Sequence, residues 1–206
     1  MNSPKYIVSA LFALVLLAPG CNFWKKTVNV VDKDLGVEQV DELEKEYIGR
    51  KAWTRSLIVD LGQNGVIDRG TEVEIVELDL HWGCAVGVKG PNNRKYRHGM
   101  DIERPVTMEK FEAAMDRLFW FDKPEKRYRM NLRTFGKRTA QAIRDNELFK
   151  GMKRDAAIES WGYPDEMNSS DIGNVLQEQW IYKDPRQKTK KRYIWLVDGE
   201  VERWEE

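Results

Sequence analysis

Few residues in the chain have side chains suited to covalent or metal chemistry: two cysteines, Cys21 and Cys84, and two histidines, His81 and His98. Cys84 near either histidine is the pairing that a thiolate nucleophile and its base require. Yet Cys84 shares an alternating phase with Val86 and Val88, which places it on the apolar face of a strand as a buried thiol. Two histidines and one spare thiol supply a metal site poorly. The glycines Gly83, Gly87 and Gly90 make no phosphate loop, because neither a Lys-Ser/Thr pair nor a following helix accompanies them. Asp165 and Glu166 are adjacent acids after a helix stop and read as solvent-facing. No catalytic residue, metal or cofactor is expected, and the chain reads as a binding protein rather than an enzyme.

Candidate binding residues fall in two classes. One basic run, Lys123, Lys126, Arg127, Arg129, Arg133, Lys137 and Arg138, is joined by Tyr128 and Phe135; a second comprises Lys188, Lys190, Lys191 and Arg192. Against an anionic surface each Lys or Arg contributes about 1 kcal/mol, and a solvated face is the plainer alternative. Trp180, Tyr182, Tyr193, Trp195 and Trp204 are the aromatic class, because Trp and Tyr dominate binding hot spots. About half of them are expected to pack on helices instead. The residues singled out for binding are Trp180, Tyr182, Tyr193, Trp195, Arg127, Arg129, Lys190 and Lys191.

The bulk numbers exclude several classes. With 206 residues the chain is long enough for one large or two small domains. Charged residues make up 33%, too many for a multi-span membrane protein, and 11% aromatics argue against disorder. The formal charge is zero, and removing residues 1–20, which carry only Lys5, leaves 33 basic against 34 acidic residues. No field of one sign draws nucleic acid to the chain.

Residues 1–20 read as an export signal. Lys5 gives the positive start, and Tyr6 to Leu17 is an uncharged apolar core. At about 1.5 Å per residue such a core spans roughly 18 Å, short of the ~30 Å hydrocarbon layer. The segment ends in Leu17-Ala18-Pro19-Gly20-Cys21, which resembles the lipobox of bacterial lipoproteins. That resemblance implies cleavage before Cys21, diacylglycerol on its thiol and a fatty acid on its new amino group. Two or three acyl chains, at about 0.8 kcal/mol per buried CH₂, hold a protein firmly to a membrane. Asn22, where an Asp would signal inner-membrane retention, favours the outer membrane, with the protein facing the periplasm.

Behind residue 20 the chain divides into a tether over 21–46, read as a solvated arm with a short helix over Val37 to Tyr47 as the alternative, a small β-barrel-like domain over 47–104, a helix and linker over 105–131, and an α+β domain over 132–206. In Glu72 to Leu80 the apolar residues change phase midway, which predicts a bulge. Cys84 to Lys89 and a segment around Tyr96 are further strands, with Gly90-Pro91-Asn92-Asn93 as the turn. Gly70-Thr71-x-Val73-x-Ile75 resembles the opening of Src-homology-type barrels of bacterial envelopes. Thr107 to Phe119 is a helix with Met108, Phe111, Ala114, Met115 and Leu118 on one stripe, and Asp122 to Arg129 is a charged connection. Leu132, Phe135, Thr139, Ala142 and Ile143 mark a second helical face. Lys153 to Trp161 is a third helix, ended by Gly162 and Pro164. Leu176 to Tyr182, Arg192 to Val197 and Glu200 to Trp204 are strands, the last two joined at Asp198-Gly199. The class expected is α+β: a small antiparallel barrel-like domain, then a two-layer helix pair on a three-stranded antiparallel sheet.

Gly151-Met152-Lys153, Ala157-Ile158, Trp161-Gly162-Tyr163-Pro164-Asp165, Glu178-Gln179-Trp180-Ile181-Tyr182 and Asp198-Gly199-Glu200-Val201 occur in the order of the BamE/SmpA-like domain of envelope lipoproteins, which this segment resembles. The resemblance covers Gly151 to Glu206. It implies a non-enzymatic binding or scaffold role, with outer-membrane assembly or maintenance as the setting. The partners expected are the membrane, through lipid on Cys21, and an envelope protein or wall component. An inhibitor-like binder of a periplasmic enzyme and a cell-wall-binding module are the alternatives.

Overall fold

The computed structural model describes residues 34–62, 65–81, 83–187 and 189–206. Cys21, the export signal and the first part of the expected tether lie outside the described residues. From Asp34 onward the chain is one compact unit, of mixed α+β class.

The rest of the expected tether is instead part of the fold. Val40 and Leu43, three residues apart, lie on the inner face of helix α1 (Val37–Tyr47), and each is 4% exposed. The acids that made this stretch resemble a solvated arm occupy the helix's outer face. Just before the helix, Asp34 accepts a hydrogen bond from Val106 N (2.8 Å), and Leu35 N donates to Val106 O (2.9 Å).

Strands β1 (Lys51–Thr54), β2 (Ile58–Val59), β3 (Val66–Ile67), β4 (Glu72–Asp79), β5 (Ala85–Lys89) and β6 (Lys95–Gly99) precede helix α2 (Met108–Leu118), which runs into the two-residue strand β7 (Phe119–Trp120). They form a five-stranded antiparallel sheet in the order β6-β5-β4-β1-β7 beside the β2-β3 pair. Among the described residues no sheet closes into a barrel, contrary to expectation. The apolar face is covered by helices, with Val40, Leu43, Phe111 and Met115 in the same core as Val73, Ile75, Val86 and Val88. The free side of β6 is met by residues 58–61, where Leu61 N donates to Arg97 O and Arg97 N to Asp60 Oδ1. The phase change in β4 is a bulge, with the register against β5 shifting between Ile75 and Glu77.

Helix α3 (Pro124–Asp145) begins inside the stretch expected to be a charged connection. Pro124 starts it, because a first-turn position has no intrahelical use for the missing N–H. At Gly136 (φ 79°, ψ 171°) the backbone leaves helical geometry and the helix kinks. Helix α4 (Arg154–Trp161) stops at Gly162 as expected.

Strands β8 (Glu166–Ile172), β9 (Val175–Lys183), β10 (Lys191–Val197) and β11 (Glu200–Glu205) form an antiparallel sheet in the order β11-β10-β9-β8. It has four strands rather than three. The extra strand, β8, is so polar (Asn168, Ser169, Ser170) that it shows no alternation. Both hairpin turns, Gly173-Asn174 and Asp198-Gly199, have positive φ at their two central residues, as tight hairpins require. Ala156, Ala157, Ile158 and Trp161 pack with Trp180, Ile194, Leu196 and Val201 as a second core.

Candidate functional site

The two cores meet at a seam of arginines and aromatic rings. Thr54, buried at the end of β1, accepts from Thr71 N (3.0 Å) and donates to Asp68 O (2.7 Å). This pins the turn before β4 and sets Arg69 beside Arg55. Arg69 Nε donates to Arg55 O (2.8 Å), its Nη1 to Asn146 Oδ1 (3.2 Å) and its Nη2 to Glu159 O. Arg55, 6% exposed, donates through Nη1 to Asp116 and through Nη2 to the Glu159 carboxylate. Arg55 and Arg69, both from the first half, therefore hold α4 of the second.

Trp120, at the end of β7, is the centre of the cluster. Arg127, Arg69 and Arg55 place their guanidinium carbons 3.1, 4.9 and 5.8 Å from its ring centroid. Burial pushes Arg69 down to about 9, helped by the like charge of Arg127 and opposed by Glu159. Burial likewise pushes Arg127 down to about 10, with Glu159 opposing and Arg55 contributing. Both stay protonated near neutrality. Three buried donors, Arg55 Nε, Trp120 Nε1 and Arg127 Nε, have no hydrogen-bond partner among the described residues.

A groove of about 620 Å³ opens along the seam. Leu57, His98 and Met100 line it from one half, and Trp161, Tyr163, Tyr182 and Arg192 from the other. A second hollow of about 350 Å³ shares Leu57, Arg69, Trp161, Asp184 and Arg192 with the groove and adds Lys190 and Arg186. Arg192 lies 4.8 Å from the Trp161 ring centroid and 5.9 Å from that of Tyr182. Trp161 Nε1 donates to Asn146 O, and Tyr182 OH to Gly162 O. Both rings are thus held in place, and the seam presents cations over fixed aromatic walls.

The expected binding residues are dispersed among several places. Arg127 belongs to the Trp120 cluster, and Lys190 lines the hollow. Arg129 is exposed on α3 and lines neither space. Trp180 and Tyr182 are 0% and 5% exposed. As a partner-contacting residue Trp180 is corrected, because it packs wholly inside and donates to Glu178 (2.9 Å), whereas Tyr182, though buried, lines the groove. Tyr193 and Trp195 are on the opposite sheet face from Trp180, with Lys191 in the same phase. Their rings stack at 5.5 Å, and the Arg203 guanidinium carbon lies 3.7 Å from the Trp195 ring centroid. Arg55, Arg69, Trp120 and Glu159 were not singled out. They are isolated along the chain, and no local spacing links them.

Cys84 is buried, and burial pushes its thiol up, away from the thiolate. His98 is engaged through Nδ1 with the backbone of Val59 (3.0 Å), and burial lowers its pKa. Among the described residues no three His, Cys, Asp or Glu side chains are grouped to hold a metal, and no helix is long and apolar enough to cross a membrane. Compared with family models, curated proteins and solved structures, the chain has no match.

Proposed function

We propose that the chain is a lipid-anchored, non-enzymatic binding or scaffold module of the bacterial cell envelope, held by acyl chains on Cys21 and facing the periplasm from the outer membrane. The observation that carries the binding role is the groove, to which both halves contribute and where Arg192 lies over Trp161. Aromatic walls with fixed cations are the composition that recurs at binding hot spots. The partner is an envelope protein docking a segment there. Support for anchoring comes from Leu17-Ala18-Pro19-Gly20-Cys21. Support for the outer-membrane setting comes from the BamE/SmpA-like order of motifs between Gly151 and Glu206. The non-enzymatic part draws on the buried thiol of Cys84.

Crosslinked co-purification from detergent-solubilised envelopes, run with the wild type and with Cys21→Ser, tests the proposal. The wild type is expected to take up labelled palmitate, sediment with membranes and recover a reproducible set of envelope proteins. Cys21→Ser is expected to lose the label and move to the soluble fraction. Labelling that survives in Cys21→Ser contradicts the anchor, and recovery of background proteins alone contradicts the scaffold role.

A further inference from the structure

Arg69, Arg186, Lys190 and Arg192 line the hollow beside the groove, with Asp68, Asp184 and Glu206 on the same walls. The carboxylates are not shared evenly among these cations. Asp68 and Asp184 both receive hydrogen bonds from Arg186, at 2.9 and 3.1 Å. Arg69, Lys190 and Arg192 make no ion pair among the described residues.

Water solvates the N–H donors of these cations, but it brings no charge to set against theirs. An oxyanion does both. A carboxylate accepts in one plane, whereas a free phosphate or phosphate monoester offers its oxygens in three dimensions and about −1.5 to −2 charge near pH 7. Phosphate therefore suits cations that arrive from separate elements: Arg69 from the turn before β4, Lys190 from the loop before β10, and Arg192 from β10 itself. The Arg69 guanidinium is oriented by Arg55 O, Asn146 Oδ1 and Glu159 O, so one of the three contacts is preorganised.

We propose that the hollow lined by Arg69, Lys190 and Arg192 is a binding site for a phosphate-class oxyanion, either a free phosphate or the phosphate of a lipid headgroup. This goes beyond the groove as a protein-docking surface and does not rest on the lipid anchor.

The test is thermal unfolding of the full chain with inorganic phosphate, against sodium chloride and sodium acetate at matched ionic strength. Phosphate at roughly ten times its Kd is expected to raise Tm by about 3 °C, and the other salts to give no comparable shift. The double variant Lys190→Gln, Arg192→Gln is expected to lose the shift. Lys191→Gln, whose side chain is in phase with the opposite sheet face, is expected to keep it. An equal shift from acetate, no phosphate-specific shift in the wild type, or a shift that survives in the double variant overturns the site. Phosphatidylcholine vesicles doped with phosphatidate separate the two sources. Co-sedimentation that depends on Lys190 and Arg192 marks a headgroup, and its absence beside a retained phosphate shift marks a free ion; either result supports the site. A missing shift leaves envelope co-purification untouched, so failure here and failure of the scaffold reading are distinguishable.

Discussion

Arg55 reaches from the end of β1 to two helices, α2 through Asp116 and α4 through Glu159. Its side chain is 7% exposed and that of Glu159 21%, so removing the cation leaves a partly buried carboxylate without its partner. Arg55→Ala is expected to destabilise the fold by about 3 kcal/mol, read from urea unfolding. Arg55→Ala with Glu159→Gln is expected to recover part of that loss, and simple additivity would deny the coupling. His98 gives the fold a pH dependence. Burial holds its folded pKa below 6.5, so below pH 6.5 the unfolded chain binds a proton that the native state does not. Stability is therefore expected to fall as pH drops through that value towards the folded pKa. His98→Gln is expected to flatten this part of the stability–pH profile, and an unchanged slope would place the acid sensitivity elsewhere. Arg55, Arg69 and Glu159 were illegible in the sequence for a physical reason: a lone cation ending a strand looks solvated until the fold brings its partner, Glu159, across 104 residues.

Among the elements, those with strong local patterns were legible. The bulge in β4, the stripe of α2, the stop of α4 and the Asp198-Gly199 turn all follow from alternation, helical spacing or turn residues. Others escaped, β8 and the start of α3 among them. β8 is too polar to alternate, and the start of α3 is too charged to resemble a packed helix. α1 stands in the sequence only as the alternative to a solvated arm, because its acids outnumber Val40 and Leu43, the two residues that decide its position. Leu43→Ala is expected to cost about 2–3 kcal/mol in chemical denaturation, whereas a solvated arm would change by less than about 0.5 kcal/mol. Gly136 and Gly162 share a backbone region essentially reserved for glycine, with φ 79° and 84° and ψ 171° and −177°. A Cβ on Gly136 meets open space, while one on Gly162 comes 2.8 Å from Arg55 O. Both alanine variants are expected to be destabilised, by about 1–3 kcal/mol of strain, and Gly162→Ala by more. Equal losses would mean that the contact at Arg55 yields freely.

At the scale of the whole molecule, two separately packed cores are joined by buried arginines, and the groove exists because they are joined. The sequence pattern anticipated an α+β chain. It did not anticipate that helices rather than a closing strand cover the first sheet, because closure depends on long-range pairing that local alternation does not encode. It singled out Arg127 and Lys190 as candidates without showing that Arg69 connects their surroundings. The central claim is that this seam is the surface through which an envelope protein is bound. The most direct measurement is photocrosslinking in intact cells from a photoreactive residue at Tyr163, on the groove wall, in the wild-type and Arg192→Glu backgrounds. The account predicts a discrete crosslinked partner in the first background and a loss of roughly tenfold or more in the second, the scale of reversing one interfacial charge. Equal crosslinking in both backgrounds, or none in either, would contradict it.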